Sequence, residues 1–429
     1  MGVNNDRNIA YLTLLRMNRE NAYSHIELNN QLTKHKAYSE SFVRELVYGV
    51  LERLYTLDYY LEQLLKSGID SLKTEPLTIL RMGLYQIIYM DSVPNYSAVN
   101  ESVNLAKEYC YFASKMVNAV LRNCIRKAEQ LTNPSSETGD ITRLKYTYSY
   151  EPWIIRLWIE QYGIETAENL LDKGNRTPGI DIRCNRLKTT AEELKRSLAE
   201  KGMDVEISTH DEDILTVRGR GLLSLDEYKE GKFSVQDKSS YRAVSDLDPK
   251  PGDIVIDVCA APGGKSFASA ERMNNIGTIY SFDTYDEKVK RMEKEADRLG
   301  IDIVRPELVD GVVGIEKYFG SADKVICDVP CTGLGVLHRK PEIKYRKISD
   351  SGKALAKKQL AILERSTSYL KDGGTMMYST CTINSIENRG VIAEFLKRNS
   401  EFQLLVGRQL LPTTDDTDGF YYCLLKKKY

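Results

Sequence analysis

Ile254-Val255-Ile256-Asp257-Val258-Cys259-Ala260-Ala261-Pro262-Gly263-Gly264-Lys265 is the stretch whose reading decides the fold of the C-terminal half of this 429-residue chain. An apolar, β-branched run ends on small residues, and a helical pattern opens at Ser266, which predicts a strand, a tight glycine turn and a helix. Downstream, short apolar runs recur at 278–282, 303–309, 324–327 and 375–378 between helical segments. That alternation predicts an α/β domain with a parallel sheet covered on both faces. Its functional side chains are expected at the carboxyl ends of the strands.

Small residues over Cys259, Ala260, Ala261, Pro262, Gly263, Gly264 and Lys265 let a ligand approach the backbone, and the helix start offers unpaired N–H groups. Asp283 ends the second strand, where a carboxylate can accept hydrogen bonds from both ribose hydroxyls of a nucleoside cofactor. G-x-G-x-x-G is absent, so a dinucleotide is not expected; S-adenosylmethionine, with no pyrophosphate to cradle, suits the loop better. On spacing alone the same residues also make a tight strand–helix turn beside an exposed Asp. Asp310 and Asp328 follow the third and fourth strands; each taken singly reads more readily as a solvated loop residue or cap, and together they line one rim of the sheet, where a cofactor and a substrate base would meet.

Residues up to about 129 read as helix throughout. Phe42, Leu46 and Val50 form one apolar stripe, Leu77, Leu80, Leu84 and Ile88 a second, and Val117, Val120, Leu121 and Cys124 a third. Breaks fall at 66–70 and 93–95, with Ser97 expected to cap the helix that carries Val99 and Val103. A polar, turn-rich stretch at 131–142 predicts a linker. Beyond it come a helix at 150–171, a strand at 180–184, a helix at 191–201 and strands at 205–207 and 214–217. The resulting division is a helical bundle over 1–130, a linker over 131–142, a small α+β subdomain over 143–240 and the α/β domain over 241–429.

With 28% charged and 42% hydrophobic residues the composition is that of a folded globular chain. The net charge of −1 gives no global sign of nucleic-acid binding, so any basic surface must be local. Eight irregularly spaced cysteines resemble a reduced set, and neither a signal-peptide core nor an apolar run of about 20 residues is present, so the expectation is a cytoplasmic protein away from membranes.

Two of those cysteines stand apart. Cys331 lies in Asp328-Val329-Pro330-Cys331 and Cys381 in Ser379-Thr380-Cys381, each just past an apolar strand in a polar or glycine-bearing loop. A pyrimidine carbon such as cytosine C5 is too weak a nucleophile to accept a methyl group unaided, and a thiolate adding at C6 activates it. Cys110, Cys124, Cys184, Cys259 and Cys327 read as packing residues. Zinc is not expected: Cys327 and Cys331 have no matching second pair, and His25, His35, His210 and His338 are scattered. Between the two cysteines runs a basic stretch with Arg339, Lys340, Lys344, Arg346 and Lys347, expected to contact phosphate, although such a run can also be a solvated face.

Taken together, 259–265, Asp-Val-Pro-Cys-Thr-Gly-Leu-Gly at 328–335, Arg-Lys-Pro-Glu-Ile-Lys at 339–344 and Ser-Thr-Cys-Thr at 379–382 with Glu387-Asn388 resemble the RNA 5-methylcytosine methyltransferases of the NOL1/NOP2/Sun type. Val235-Gln236-Asp237 and Asp418-Gly419-Phe420-Tyr421 extend the match, and the N-terminal part is similar to the RNA-binding NusB domain. That fusion is the arrangement of the bacterial RsmB/Fmu/Sun type. Val329 stands where Ala is usual and Leu334 where a smaller or polar residue is common. The resemblance implies a Rossmann-like, S-adenosylmethionine-dependent domain, a small RNA-contacting subdomain, and methylation of a cytosine in 16S ribosomal RNA; a monomer without metal is the expectation beside it. It also implies Cys381 as nucleophile at C6, Cys331 in product release, Asp328 on the base edge, and 259–265, Asp283, Asp310 and Asp328 as cofactor contacts. The same chemistry on transfer RNA or 23S RNA, or a non-catalytic RNA-binding factor of this fold, are the alternatives.

Overall fold

The computed structural model describes residues 5–20, 24–176, 179–346 and 352–428; Lys347, the last member of the basic run, lies outside them. The chain divides into two compact units, Met1–Asn175 with Leu337–Lys347, and Arg176–Val336 with Ile348–Tyr429.

In the first unit, helices Asn5–Glu20, Ser24–Lys34, Glu40–Glu52, Leu54–Leu64, Thr74–Tyr89, Asn95–Tyr109 and Ser114–Lys127 enclose one core. The predicted stripes supply it: Leu46, Val50, Leu80, Leu84, Val117, Val120, Leu121 and Cys124 are buried, and Phe42, Leu77 and Ile88 pack at its edge. Ser97 does not cap its helix. Pro94 holds the N-cap position, and its carbonyl accepts from the Ser97 N–H, so that serine already lies within the first turn.

The first compact unit runs on past the expected linker at 131–142. Helices Asp140–Tyr148, Pro152–Tyr162 and Ile164–Lys173 pack within the first unit, because the Leu54–Leu64 helix needs a cover for its second face. Thr56 Oγ1 donates to the Tyr146 carbonyl at 2.7 Å, the Tyr55 N–H donates to Ser149 Oγ at 2.7 Å, and the Tyr59 and Tyr146 rings stand 4.8 Å apart. The single helix expected over 150–171 is two helices, broken at Gly163.

The second unit holds two sheets. Strands β1 (Ile180–Cys184), β2 (Asp204–Ile207), β3 (Ile214–Arg218) and β4 (Phe233–Val235) form an antiparallel sheet in the order β2-β3-β1-β4. The larger sheet comprises β5 (Ile254–Asp257), β6 (Thr278–Asp283), β7 (Val304–Leu308), β8 (Ala322–Asp328), β9 (Leu370–Thr380), β10 (Phe402–Leu410) and β11 (Phe420–Lys427), in the order β10-β11-β9-β8-β5-β6-β7. All five predicted strands are present and parallel to one another. The antiparallel β10–β11 hairpin at the β9 edge was not expected. Two apolar clusters, one built around Val255, Phe267 and Tyr422 and the other around Ile256, Phe282 and Tyr378, pack against this sheet.

Candidate active site

Register brings the strand ends into one row. Asp257 pairs with Ser281 and Ile326, Asp283 with Leu308, and Asp328 with Ser379, so β9, β8, β5, β6 and β7 end side by side. The loops that leave these ends carry the candidate residues.

At the centre, β5 runs into the 259–265 loop. Gly263 sits at φ +100° against the Phe267 ring, a conformation open to glycine, and it opens the helix Gly264–Arg272. Ala260 is buried and its N–H donates to the Phe282 carbonyl at 2.8 Å; Ala261 is partly buried, and the Ala261–Pro262 peptide is cis with Pro262 exposed. Cys259 is half-buried, and burial holds its thiol well above the ordinary range. A Cβ on Gly311 would stand 3.2 Å from the Val258 carbonyl oxygen and 3.7 Å from Cys259 Sγ, which sets the Asp310-Gly311 turn beside the loop. Asp310 itself is exposed and accepts from the Val312 N–H. Asp283, buried at the end of β6, accepts from the Tyr285 N–H at 3.2 Å and from Lys288 Nζ at 3.3 Å.

The helix that starts at Gly264 is fixed from below by a group that sequence reading passed over. Arg183 on β1 is fully buried; Nε and Nη2 each donate to the Glu271 carboxylate at 2.8 Å, and Nη1 donates to the Gly264 carbonyl at 3.0 Å and to Gln236. The signal was there in outline: Ile180, Ile182 and Cys184 alternate with Asp181 and Arg183, so the small sheet turns a polar face somewhere. Asp237 caps the helix Lys238–Leu247 through the Ser239 N–H, and its other oxygen accepts from the Asp418 N–H at 3.2 Å.

On the neighbouring strand end, Lys265 Nζ lies 2.7 Å from Asp328 Oδ2 and 5.1 Å from the centre of the Phe420 ring, and Ser379 Oγ donates to Asp328 Oδ1 at 2.8 Å. Lys265 is thus paired with this carboxylate. Cys331 Sγ and Cys381 Sγ are 3.3 Å apart. Cys381, partly buried, packs on the same cluster as Ala261. The adjacent Cys381 sulfur and burial together push the Cys331 thiol well above its ordinary range, so Cys331 stays protonated at neutral pH. The loop between them is tight: the Gly335 N–H donates to the Cys381 carbonyl at 3.0 Å, and a Cβ on Gly335 would fall 1.7 Å from the Gly419 carbonyl oxygen.

The basic stretch divides. Arg339 and Lys340 are exposed and Arg346 is half-buried, all three in the first unit. Lys344, expected to contact phosphate, is instead fully buried there, within hydrogen-bond reach of Asn175 Oδ1 and 4.6 Å over the Tyr150 ring. Burial pushes its ammonium down to about 7 against the opposing pull of Glu52, whose own carboxyl burial raises. Tyr345 beside it donates to the Leu51 carbonyl at 2.5 Å. The run therefore docks by one face, which removes Lys344 from the phosphate contacts. Among the described residues no cluster of His, Cys, Asp and Glu could hold a metal ion, and no helix is long and apolar enough to cross a membrane.

Family models match three stretches of the chain, the middle one crossing the boundary between the two compact units. The description "16S rRNA methyltransferase RsmB/F" matches residues 244–426, "NusB family" matches 4–126, and an RsmF/B-like ferredoxin-like domain matches 150–221. A probable ribosomal RNA small subunit methyltransferase B of Bacillus subtilis is 33% identical over 98% of both chains. The chain belongs to the RsmB/F family of 16S ribosomal RNA methyltransferases. This RsmB/F-family chain also resembles a counterpart from Shewanella oneidensis, 29% identical over 90% of the chain and 91% of that protein. The crystal structure of PH0851 superposes with a TM-score of 0.82 at 27% identity, covering 98% of this chain and 99% of that one. The family places a NusB helical domain first, a ferredoxin-like domain next and a Rossmann-like methyltransferase domain last. The protein is an S-adenosylmethionine-dependent methyltransferase that acts on 16S ribosomal RNA. Its strand ends fit that cofactor: a backbone cradle shaped by Gly263 and closed by the Asp310-Gly311 turn, with a buried carboxylate on the next strand.

Proposed function

We propose that the target atom is C5 of a cytosine, that Cys381 forms a covalent bond to C6 of that base, and that Cys331 serves the release step. One observation carries the reading: two thiols 3.3 Å apart at the ends of adjacent strands, beside an ion-paired aspartate. The target base is unstacked into the cleft, since the reacting carbon is inaccessible within a helix. Addition of the Cys381 thiolate opens the C5–C6 double bond, with Asp328 hydrogen-bonding the ring edge where N3 takes up a proton. C5 thereby becomes an enamine-type nucleophile. S-adenosylmethionine, when bound, supplies an electrophilic methyl group, and residues 259–265, Asp283, Asp310 and Asp328 are the groups that would hold it.

C5 then bears both a methyl group and a hydrogen. Restoring the double bond needs that proton removed while the sulfur–C6 electron pair returns to Cys381. A relay across the thiol contact balances the step: Cys331 hands its proton to the departing Cys381 sulfur and takes the one from C5. The proton lent at N3 leaves by the route it came. Holding Cys331 protonated suits it to this task. Exposed Arg339 and Lys340, with Arg346, are the cations proposed for phosphate contact.

The test is a pair of variants assayed on unmodified 16S RNA. Cys381→Ala is expected to lose both methylation and covalent attachment of RNA, and Cys331→Ala to accumulate protein bound to methylated RNA. Normal turnover by Cys331→Ala without a trapped adduct refutes the division of labour. Bisulfite sequencing of RNA from a deletion strain, with purified protein added back, identifies the base.

A further inference from the structure

The two cysteine loops are joined by one carboxylate to which the mechanism above gives no role. Glu387, completely buried, collects four donors. Oε2 accepts from the Thr332 N–H at 2.9 Å and from Gln359 Nε2 at 3.0 Å; Oε1 accepts from Thr332 Oγ1 at 2.5 Å and from Asn384 Nδ2 at 2.9 Å. Thr332 directly follows Cys331, and Asn384 lies three residues past Cys381. The same Gln359 amide also donates to the Pro330 carbonyl at 2.9 Å, and Thr332 Oγ1 stands 2.9 Å from Thr382 Oγ1, so residues flanking each cysteine meet around this one group. Tyr378 Oη secures the Glu387 backbone by donating to its carbonyl at 2.6 Å.

We infer that Glu387 is a positioning residue that clamps the Cys331 loop to the Cys381 loop and so sets the separation of the two sulfurs. The inference rests on the two-thiol reading above and adds the group that makes the pair a pair. A carboxylate suits the task because it is acceptor-only, with about four lone-pair sites for four donors. Glutamine would turn an NH₂ toward two of those donors and leave them facing another donor. Burial holds the Glu387 carboxyl above its ordinary range, against the lowering effect of its hydrogen bonds. Its charge in turn adds to the influences that keep Cys331 a protonated thiol.

The test uses a ruler independent of catalysis. In the full-length protein without RNA or cofactor, glutathione disulfide oxidises Cys331 and Cys381 to an internal disulfide: one sulfur–sulfur bond forms, two protons leave, and two electrons reduce glutathione disulfide to two glutathione thiols. Peptide mass mapping at defined glutathione ratios gives the effective concentration of one thiol at the other. Glu387→Gln is expected to lower it by about tenfold or more, the equilibrium equivalent of one buried hydrogen bond left unmade. The same variant is expected to lower kcat with KM for RNA and cofactor unchanged, and to accumulate covalent adduct. An effective concentration equal to wild type overturns the clamp. If Glu387→Gln does not fold, Thr332→Val removes one of the carboxylate's donors on the Cys331 side, and a wild-type value there overturns it equally. Failure of the two-thiol reading looks different: the unaltered protein forms the disulfide readily, yet its Cys381→Ala variant still methylates RNA.

Discussion

Arg183→Met removes the guanidinium that ties the small sheet to the Gly264–Arg272 helix. Both partners of the Arg183–Glu271 pair are essentially without solvent contact, at 0% and 2% exposure, and the pair is bidentate at 2.8 Å. Deleting one member of such a pair leaves a buried charge unpaired and costs about 3–5 kcal/mol. At roughly 2–4 °C per kcal/mol for a unit of this size, melting falls by about 6–20 °C. Calorimetry is the assay, because the two units can unfold separately and a single optical transition would blend them. Burial already pushes the Glu271 carboxyl up despite the guanidinium, so the pair only partly offsets its own desolvation. Replacing both members, Arg183→Met with Glu271→Leu, is therefore expected to recover most of the lost stability. Cofactor affinity should not recover with it, since the Gly264 carbonyl still lacks the Arg183 donor. A loss under about 1 kcal/mol for the single variant, or a double variant as unstable as the sum of the singles, refutes the reasoning.

Two further outcomes follow from buried charges elsewhere. Burial pushes the Asp257 carboxyl up to about 7, above its unfolded value, so its contribution to stability is present in acid and is lost as pH rises through about 4 to 7; Asp257→Asn should flatten that fall, measured by denaturant midpoints across pH, and an unchanged slope would count against it. In RNA binding measured against salt, Lys340→Ala should reduce the slope of log K on log salt by about 1 while Lys344→Met leaves it unaltered; a smaller slope for Lys344→Met would return that residue to the phosphate contacts.

Sequence reading recovered what is written locally. The strand, glycine turn and helix around 254–265 carry their own instructions, and so do the helical stripes through Leu46, Leu80 and Val117. The β10–β11 hairpin escaped because β11 is an unbroken apolar run, Phe420 to Leu425, buried on both faces, that lies beyond the last βα repeat and was read only as a closing motif. Lys344 escaped for a deeper reason. A lysine in a run of cations reads as solvent-facing, and its burial depends on Glu52 and Asn175, which only the folded first unit brings near it. Glu387 was visible as part of a motif, but four converging donors are a property of three dimensions.

Membership of 337–346 in the first unit makes the protein's modules inseparable by a single cut. A fragment beginning at residue 176 would carry Ile343, Lys344 and Tyr345 stripped of the helices that bury them, and a fragment ending at 175 would lack the segment whose Tyr345 bonds to Leu51 and Leu54. The chain thus passes between its NusB-bearing unit and its methyltransferase-bearing unit more than once, so neither can be engineered alone without repairing the seam.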